Sequence, residues 1–432
     1  MSTRIGYAGM THLGLVSGIA AAARGFETVC YDADENRIAA LQRGELPVVE
    51  PDLPELLAAN RRQLRFTSDR TALADCDVVY VAPDVPTDDR GGSDLAPLNR
   101  LLATVDGVLR DEAVLVILSQ VPPGFTRARL GPSRRLYYQV ETLIFGRAVE
   151  RATKPERFIV GCADPAQPLP AAYSAFLQAF DCPILPMRLE SAELAKISIN
   201  MCLVASVSIA NTMAELCERI GADWSEIVPA LKLDRRIGGF AYLAPGLGLA
   251  GGNLERDLAT VLNLSWDTGS DAAVISAFLH NSRHRRDWVL RTLHRHVFAK
   301  KAQAILGILG LAYKENTHST KNSPALALIE HLGAWPLRLF DPVVPASAAA
   351  RHPAAHAASS AIDVADGADA LVIMTPWPEF RALAPAELAR RMAGRTLIDP
   401  YRVISGSAAT AAGLDYHTLG VPPSAAGGSS RA

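Results

Sequence analysis

The chain opens with a short apolar run, a tight turn and an Ala-rich segment, and this order predicts a strand, a turn and a helix. We expect the strand at Arg4–Ala8, the helix from about Leu13 to Arg24, and a second strand at 27–32. Two further apolar runs, Cys76–Ala82 and Ala113–Ser119, are each followed by a Pro-containing loop. Such strand–helix–strand units build a doubly wound parallel sheet.

A long helical pattern follows these strands. It runs from about Ser191 to Ile220 without Gly or Pro, and two more helical stretches are expected at about 253–267 and 271–299. Strand candidates then recur towards the end of the chain, at 304–314, 337–340, 370–375 and 396–398. An Ala-rich stretch at about 347–370 is compatible with either helix or loop.

These patterns predict an α/β protein with two doubly wound, Rossmann-like domains joined by a central helical element that also dimerises. We place the three domains at 1–188, 189–298 and 299–420. The tail at 421–432 contains Pro-Pro, Gly-Gly and Ser-Ser pairs, so it is expected to be disordered. A length of 432 residues suits two or three domains.

Composition and charge narrow the class of protein. With 49% hydrophobic and 20% charged residues, the chain is typical of a soluble globular protein. Its 43 Lys and Arg residues nearly balance 45 Asp and Glu, so charge gives no reason to expect binding to nucleic acid or to an anionic membrane. The apolar segment 197–210 contains Asn200 and several Ser, and we interpret it as a buried helix rather than a membrane span.

The cysteines and the N-terminus bear on location. Six Cys are scattered without a C-x-x-C pair or a zinc-type His spacing, which argues against a metal site and fits reduced thiols in a cytoplasm. The apolar start of the chain is interrupted by glycines and lacks a convincing cleavage site, so a secretory signal is not expected.

The first turn reads Gly9-Met10-Thr11-His12-Leu13-Gly14, a G-x-G-x-x-G pattern with Thr at the second glycine. This glycine normally lets the backbone approach a pyrophosphate, so the Thr11 side chain must point aside or donate its hydroxyl. Asp32 ends the second predicted strand, where a carboxylate binds the adenosine ribose and repels a 2′-phosphate, which favours NAD over NADP. The motif alone is weak, and Asp32 could also merely start a loop.

Lys196 and Asn200 are four residues apart in the long helical pattern and therefore share one helix face. A buried Lys beside an amide suits a site that binds and polarises a hydroxyl undergoing hydride loss. The alternative, a surface Lys beside a capping Asn, fits the spacing equally well.

Further motifs occur in order along the chain. They are Glu50-Pro51-Asp52-Leu53, Val85-Pro86-Thr87, Glu193-Leu194-Ala195-Lys196, Asp234-Arg235-Arg236-Ile237-Gly238, Leu309-Gly310-Leu311-Ala312-Tyr313-Lys314, Ser323-Pro324-Ala325-Leu326 and Phe340-Asp341-Pro342. Up to about residue 404, the chain resembles the UDP-glucose/GDP-mannose dehydrogenase family. The resemblance implies an N-terminal NAD domain, a central helical dimer element and a C-terminal domain that holds the nucleoside diphosphate, most commonly UDP. A cytoplasmic homodimer acting on a nucleotide sugar is therefore expected.

The same resemblance implies roles residue by residue. The catalytic positions are Lys196, Asn200, Asn253, Asp257, Gln120 and Glu141. Contacts to NAD are expected at Gly9, Thr11, Gly14, Asp32, Thr87, Gln120 and Lys321, the last at the place of a family Arg. Contacts to the substrate are expected at Leu143, Arg236, Tyr242, Gly251, Lys314 and Arg402, with Arg236 reaching the sugar of a neighbouring subunit.

The positions at which this sequence departs from the family pattern are those that serve the second oxidation step. The loop 248–257 carries Asn253 where the family has a nucleophilic Cys. Gln120 stands at a family Thr, and Phe145 stands at the second acid of a segment whose first acid survives as Glu141. Thiolate addition and water activation belong to the second hydride transfer, so their joint loss leaves the first transfer intact.

We therefore hypothesise an NAD-dependent oxidoreductase that removes one hydride from a nucleotide sugar and stops at the carbonyl, or returns the hydride as an epimerase does. One alternative is a four-electron dehydrogenase that gives a uronate through the aldehyde hydrate. Another is a catalytically silent nucleotide-sugar-binding partner, against which the retained Lys196, Asn200 and Asp257 argue.

Overall fold

Short apolar runs form four adjacent inner strands of the first sheet, and all residues of these four strands are buried. Strands buried on both faces are typical of parallel sheets covered by helices. The computed structural model describes residues 3–86, 88, 92–131, 134–333 and 335–423. The chain forms two compact units, 1–199 and 200–432. The predicted three-domain boundaries stay a prediction.

Eight strands build the sheet of the first unit. They are β1 (Ile5–Ala8), β2 (Thr28–Tyr31), β3 (Leu64–Thr67), β4 (Val78–Val81), β5 (Val114–Ile117), β6 (Arg135–Gln139), β7 (Phe158–Cys162) and β8 (Ile184–Arg188). Their order is β3-β2-β1-β4-β5-β6-β7-β8, and every pair is parallel except β6 with β7. The chain leaves β1 towards β2 and later returns on its other side at β4, which creates a switch point where α/β sheets bind ligands.

Six helices accompany this sheet: α1 (His12–Ala23), α2 (Glu35–Gln42), α3 (Leu53–Ala59), α4 (Ala96–Asp106), α5 (Ala148–Thr153) and α6 (Ala171–Gln178). The predicted strands and first helix are confirmed to within about two residues at each end. The periodicity did not predict the antiparallel β7, because its apolar residues alternate too weakly with polar ones to identify a direction.

A buried hydrogen-bond network lies between the sheet and α6. The side-chain oxygen of Gln139 accepts from the hydroxyls of Tyr80 at 2.9 Å and Tyr173 at 3.0 Å. All three residues are buried, so one amide oxygen satisfies two phenol groups that would otherwise lack a partner.

Helix α7 (Leu189–Ile220) has 32 residues, as the uninterrupted pattern predicted. It is the one helix of the described chain that is long and apolar enough to cross a membrane. Core helices of soluble proteins meet the same criteria of length and composition, and 39% of the apolar stretch of α7 is buried. Burial is less complete than the sequence predicted because Ile209, Met213, Leu216 and Ile220 are exposed. Their spacing of four, three and four residues places them on one face.

The second unit contains another parallel sheet. Its strands are β9 (Leu306–Leu309), β10 (Leu337–Phe340), β11 (Ala355–Ala357), β12 (Ala370–Ile373), β13 (Thr396–Ile398) and β14 (Asp415–His417), in the order β11-β10-β9-β12-β13-β14. Helices α8 (Trp224–Leu233), α9 (Asn253–Thr268), α10 (Ala273–Arg286) and α11 (Trp288–Leu293) precede the sheet, and α12 (Pro324–His331), α13 (Pro385–Arg391) and α14 (Gly406–Ala411) accompany it. The two sheets confirm the predicted fold class.

The sequence was less accurate at three places in this unit. The single helix expected at 271–299 is divided into α10, α11 and a π-helical turn at His294–Phe298, and the Arg291 guanidinium binds the His284 carbonyl beside the break. The Ala-rich stretch contains β11 between short turns. Of the predicted disordered tail, 421–423 are described, and 424–432 lie outside the described residues.

Candidate functional site

The turn after β1 has the backbone geometry that its glycines allow. Gly9 has a φ of +94°, and a Cβ there would lie 2.9 Å from the Pro83 nitrogen. At Gly14 a Cβ would lie 1.9 Å from the Gly9 carbonyl oxygen. Neither position accepts a side chain, so the close approach of α1 to β1 depends on both glycines.

Thr11 stands at the N-cap of α1, but its hydroxyl does not cap the helix. Instead the hydroxyl oxygen accepts a hydrogen bond from the Asp84 N–H at 2.7 Å. The side chain therefore points aside, one of the two arrangements that the sequence allowed. Because no acidic residue lies in the first turn of α1, its N-terminus suits a pyrophosphate.

The Asp32 carboxylate is fixed at the end of β2. It accepts hydrogen bonds from the Met10 N–H at 2.7 Å and the Asp34 N–H at 3.0 Å, and it pairs with Arg37 at 2.8 Å. These bonds orient the carboxylate beside the glycine turn, where a dinucleotide places its adenosine ribose. The residues present therefore fit NAD.

Gln120 lies buried after β5, in a loop that Glu193 of α7 anchors. The Glu193 carboxylate accepts from the Gly124 N–H at 2.6 Å and the Thr126 N–H at 2.8 Å. Burial raises the pKa of Glu193 despite these bonds. The motif that the sequence singled out around Lys196 thus also fixes the Gln120 loop. Thr87 lies outside the described residues.

Lys196 and Glu141, two predicted catalytic residues, form an ion pair. The Lys196 Nζ is 2.7 Å from the Glu141 carboxylate, and their side chains are only 13% and 14% exposed. The second oxygen of Glu141 accepts from the Leu143 N–H at 3.0 Å. The surface-lysine alternative for Lys196 is therefore wrong. Glu141 and Leu143 also line a small pocket of about 50 Å³.

In the second unit, Asn200 and Asp257 are in direct contact. The Asn200 Nδ2 donates to the Asp257 carboxylate at 2.5 Å, and the Arg256 Nε lies 3.2 Å from its other oxygen. Asp257 is 1% exposed and Asn200 is 7% exposed. A carboxylate this deeply buried needs such donors to remain charged.

Asn253 is the first residue of α9, and it is exposed. The preceding Gly251, at φ +81°, is held through its backbone: its N–H donates to the Lys321 carbonyl at 3.1 Å, and the Asn322 side chain donates to its carbonyl at 2.8 Å. A Cβ on Gly251 would meet the Tyr313 ring at 3.1 Å. The loop before Asn253 is therefore rigidly attached to the turn after β9.

The remaining predicted substrate contacts are spread over the second unit. The Lys314 Nζ lies 5.8 Å from the Tyr313 ring centre. Arg236 pairs with Asp234 and has an 89% exposed side chain, and Tyr242 is 49% exposed. Exposure of Arg236 is compatible with its predicted reach into a neighbouring subunit, which stays a prediction.

Arg402 is held by the start of α8. Its guanidinium donates to the Ser225 hydroxyl at 2.8 Å and pairs with Asp223 at 3.0 Å, and the pKa of Asp223 is below its usual value although burial opposes this. Arg402 also has a φ of +54°. In this conformation the side chain serves an internal ion pair, so its contact with substrate stays a prediction.

The sequence missed one buried cluster near the glycine turn. The Glu50 carboxylate receives hydrogen bonds from the His12 ring at 2.8 Å and from the N–H groups of Gly146 and Ala148, and the ring of Phe145 lies 4.2 Å from that of His12. Burial alone would raise the pKa of Glu50, but these bonds lower it. Glu50 lies 38 positions from His12 and 96 positions from Gly146 in the sequence. No local sequence pattern links residues this far apart, so only the fold reveals the cluster.

A mostly parallel sheet with a glycine turn and an oriented ribose-binding acid is typical of a nicotinamide-dependent oxidoreductase. Among the described residues no group of three His, Cys, Asp or Glu side chains is arranged to hold a metal ion. Family models match 3–176 as the NAD binding domain, 190–283 as the central domain and 307–406 as the UDP binding domain of the UDP-glucose/GDP-mannose dehydrogenase family. The chain belongs to this family. It is an NAD-dependent oxidoreductase acting on a CH–OH group of a nucleotide sugar.

Relatives match along nearly the full length. UDP-glucose 6-dehydrogenase TuaD of Bacillus subtilis is 29% identical over 97% of this chain and 93% of that protein. UDP-glucose 6-dehydrogenase AglM of Haloferax volcanii is 30% identical over 95% of this chain and 98% of that protein. A solved UDP-glucose dehydrogenase from Pyrobaculum islandicum shares the fold, with a TM-score of 0.84, 24% identity and 98% of each chain covered.

Proposed function

We propose that this protein oxidises a hydroxyl of a UDP-sugar to the carbonyl and stops there, so that each turnover reduces one NAD. The observation that carries the proposal is the pairing of a retained Asn200–Asp257 contact with Asn253 at the nucleophile position. UDP is favoured because the relatives are named as UDP-glucose 6-dehydrogenases. An epimerase that returns the hydride is a variant of the same chemistry.

Asp257 is the base in this proposal. Its carboxylate accepts the hydroxyl proton, directly or through one water, while the C–H bond breaks and the C=O bond forms. NAD, when bound, supplies the acceptor of the hydride. The Asn200 amide keeps the carboxylate oriented and donates a hydrogen bond that stabilises its charged form.

Lys196 has the complementary role. Its ammonium group, paired with Glu141 in a largely buried position, presents N–H donors to the oxygen on which negative charge develops. The Glu141 partner balances the charge, so that the ammonium does not stand alone in a site with little water. The fixed Gln120 loop and the Asn253 amide add hydrogen bonds to the substrate.

The second oxidation of the family lacks a protein nucleophile here. An amide nitrogen is not nucleophilic, because its electron pair is delocalised into the carbonyl, so Asn253 cannot add to an aldehyde as a thiolate does. Without a covalent adduct, a second hydride transfer requires the aldehyde hydrate, and the four-electron alternative is therefore slow.

The protein is proposed to act as a cytoplasmic homodimer. Exposed Ile209, Met213, Leu216 and Ile220 form an apolar face on α7, and exposed apolar faces of this kind typically mark protein interfaces. A second copy of the same helix is the simplest cover for it.

The test measures how many NADH molecules form for each sugar molecule oxidised. Purified protein is incubated with a limiting amount of UDP-glucose or another UDP-sugar, and NADH formed per sugar consumed is measured together with the mass of the product. One NADH and a carbonyl product that a hydrazine traps support the proposal. Two NADH and a uronate support the four-electron alternative, and no NADH with every candidate sugar supports a binding role.

A further inference from the structure

A second polar pocket lies in the 200–432 unit, and none of the residues assigned to the reaction lines it. Its volume is about 100 Å³. Arg291, Arg295 and His296 line it from α11 and the π-helical turn, and His417 lines it from the end of β14. At about 30 Å³ per water molecule in the liquid, the pocket matches a group the size of phosphate.

Two carboxylates line the same pocket, but both are already neutralised. Glu215 pairs with Arg219 at 2.8 Å and with the fully buried Arg285 at 3.2 Å. Glu218 pairs with Arg285 at 3.1 Å and also accepts from the Trp288 ring N–H and the Gly420 N–H. Their charges are therefore engaged by the buried Arg285 and, for Glu215, also by Arg219, which lines the same pocket.

The two pocket arginines lack direct ion pairs of this kind. In the described part of the chain no carboxylate lies within ion-pair distance of Arg291 or Arg295, and the Arg291 guanidinium forms hydrogen bonds with His284. Burial lowers the pKa of the Arg291 guanidinium, which shows that its charge is poorly solvated. Glu215, Asp287 and Glu218 attract the Arg291 charge from beyond ion-pair distance, so an anion from solution would be its first direct ionic partner among the described residues.

His417 adds a donor or acceptor that the protein leaves unused. It is 5% exposed, its Nε2 has no hydrogen-bond partner among the described residues, and its ring lies 4.3 Å from that of His296. Buried side-chain nitrogens without partners are uncommon in folded proteins. The π-helical turn that presents Arg295 and His296 is likewise a feature often found at functional sites.

We propose that this pocket is a binding site for a phosphate group, held by Arg291 and Arg295 and closed on one side by the His296–His417 pair. Guanidinium groups bind phosphate through paired N–H donors, and His417 supplies a further contact. None of the pocket residues belongs to the loop that carries Asn253.

The test measures binding of radiolabelled inorganic phosphate by equilibrium dialysis, at fixed ionic strength and with saturating NAD and UDP present. The full chain is compared with Arg295→Gln, which removes an exposed side chain and should leave the fold intact. We expect one saturable phosphate site in the parent and an affinity weakened about tenfold or more in the variant, the usual loss for one charged hydrogen-bonding group.

Arg381→Gln is the matched control, because Arg381 is an exposed arginine of the same unit that does not line the pocket. It should bind phosphate as the parent does. The proposal is wrong if the parent shows no saturable binding, or if Arg295→Gln binds as tightly as Arg381→Gln. Since the comparison concerns phosphate alone, its outcome is independent of whether the proposed oxidation occurs.

Discussion

Asn200 of α7 donates a hydrogen bond to the carboxylate of Asp257 in α9 at 2.5 Å, and both side chains are buried. Through this bond a residue of the long helix determines the orientation of the proposed base. The same helix α9 begins with Asn253, so the contact also fixes the position of the helix that carries this residue.

Asp257→Asn keeps the shape of the side chain and removes the charge that accepts a proton. We expect the rate of NADH formation to fall about 10²- to 10⁴-fold, the usual contribution of a general base. Stopped-flow or steady-state absorbance at the nicotinamide band measures it. Asp267→Asn, at the exposed end of the same helix, is the control, and an equal loss in both variants would point to a change in folding instead.

Asn253→Cys restores a sulfur nucleophile at the first position of α9. A helix N-terminus favours the thiolate, so the new side chain is placed where its reactivity is increased. We expect the product to shift from carbonyl towards uronate and the yield to approach two NADH per sugar. Asn253→Ser is the matched control, and an unchanged stoichiometry in the Cys variant would show that the losses at Gln120 and Phe145 are sufficient to block the second step.

Asp32→Ala removes the carboxylate that accepts a hydrogen bond from the Met10 N–H and forms an ion pair with Arg37. The KM for NAD should rise about tenfold, because a ribose contact and the order of the turn are lost. Discrimination against NADP should decrease, since Arg37 then lacks its carboxylate partner. Initial rates with both cofactors test this, and Asp34→Ala, which removes the cap of α2 and a longer contact with Arg37 but leaves the Asp32 carboxylate in place, should keep the preference for NAD.

Introducing two negative charges on the exposed apolar face of α7 should prevent formation of the proposed dimer. Ile209→Glu combined with Leu216→Glu is expected to convert a dimer into a monomer in sedimentation velocity, because an interface core rejects unpaired carboxylates. Trp266→Glu changes an exposed apolar residue of α9 and should not alter the mass of the assembly. A parent protein that sediments as a monomer would contradict the prediction at once.

Acid should destabilise the protein in part through His417. Burial, together with the nearby His296, lowers the pKa of His417 to about 4 in the folded state, against about 6.5 when unfolded. Between these values the unfolded chain binds the extra proton, so stability is full above pH 6.5 and decreases as the pH falls towards 4. The loss is on the order of 3 kcal/mol.

Urea unfolding at several pH values measures this effect. In His417→Gln the slope of the free energy of unfolding between pH 6.5 and 4 should become smaller than in the parent. His356→Gln, at the edge strand β11, is the control and should keep the parental slope. Identical slopes in all three proteins would show that His417 does not contribute.

The sequence predicted the elements whose side chains follow a simple period. Helix α7 was recognised because 30 residues without Gly or Pro repeat at helical spacing, and β10 was recognised to the residue. The division after α10 was missed, because the pattern continues across it while a side-chain bond from Arg291 to a backbone carbonyl lies at the break. Periodicity carries no information on such bonds.

The site was predicted in part. Family motifs identified Lys196 and Asp257, and the spacing of Lys196 and Asn200 placed them on one helix face. They did not predict that Lys196 pairs with Glu141 or that Arg402 binds Asp223, because both contacts join residues far apart in the chain. Ion pairs between residues far apart in the sequence can be identified only from the folded structure.

The hydrogen bonds of Gln139 limit which substitutions the buried layer beneath α6 accepts. One amide oxygen accepts from the phenols of Tyr80 and Tyr173, so replacing the glutamine alone by an aliphatic residue removes the acceptor that these two buried hydroxyls share. The three positions are expected to covary among descendants of this chain, with phenylalanine at both aromatic sites wherever the amide gives way to an aliphatic residue.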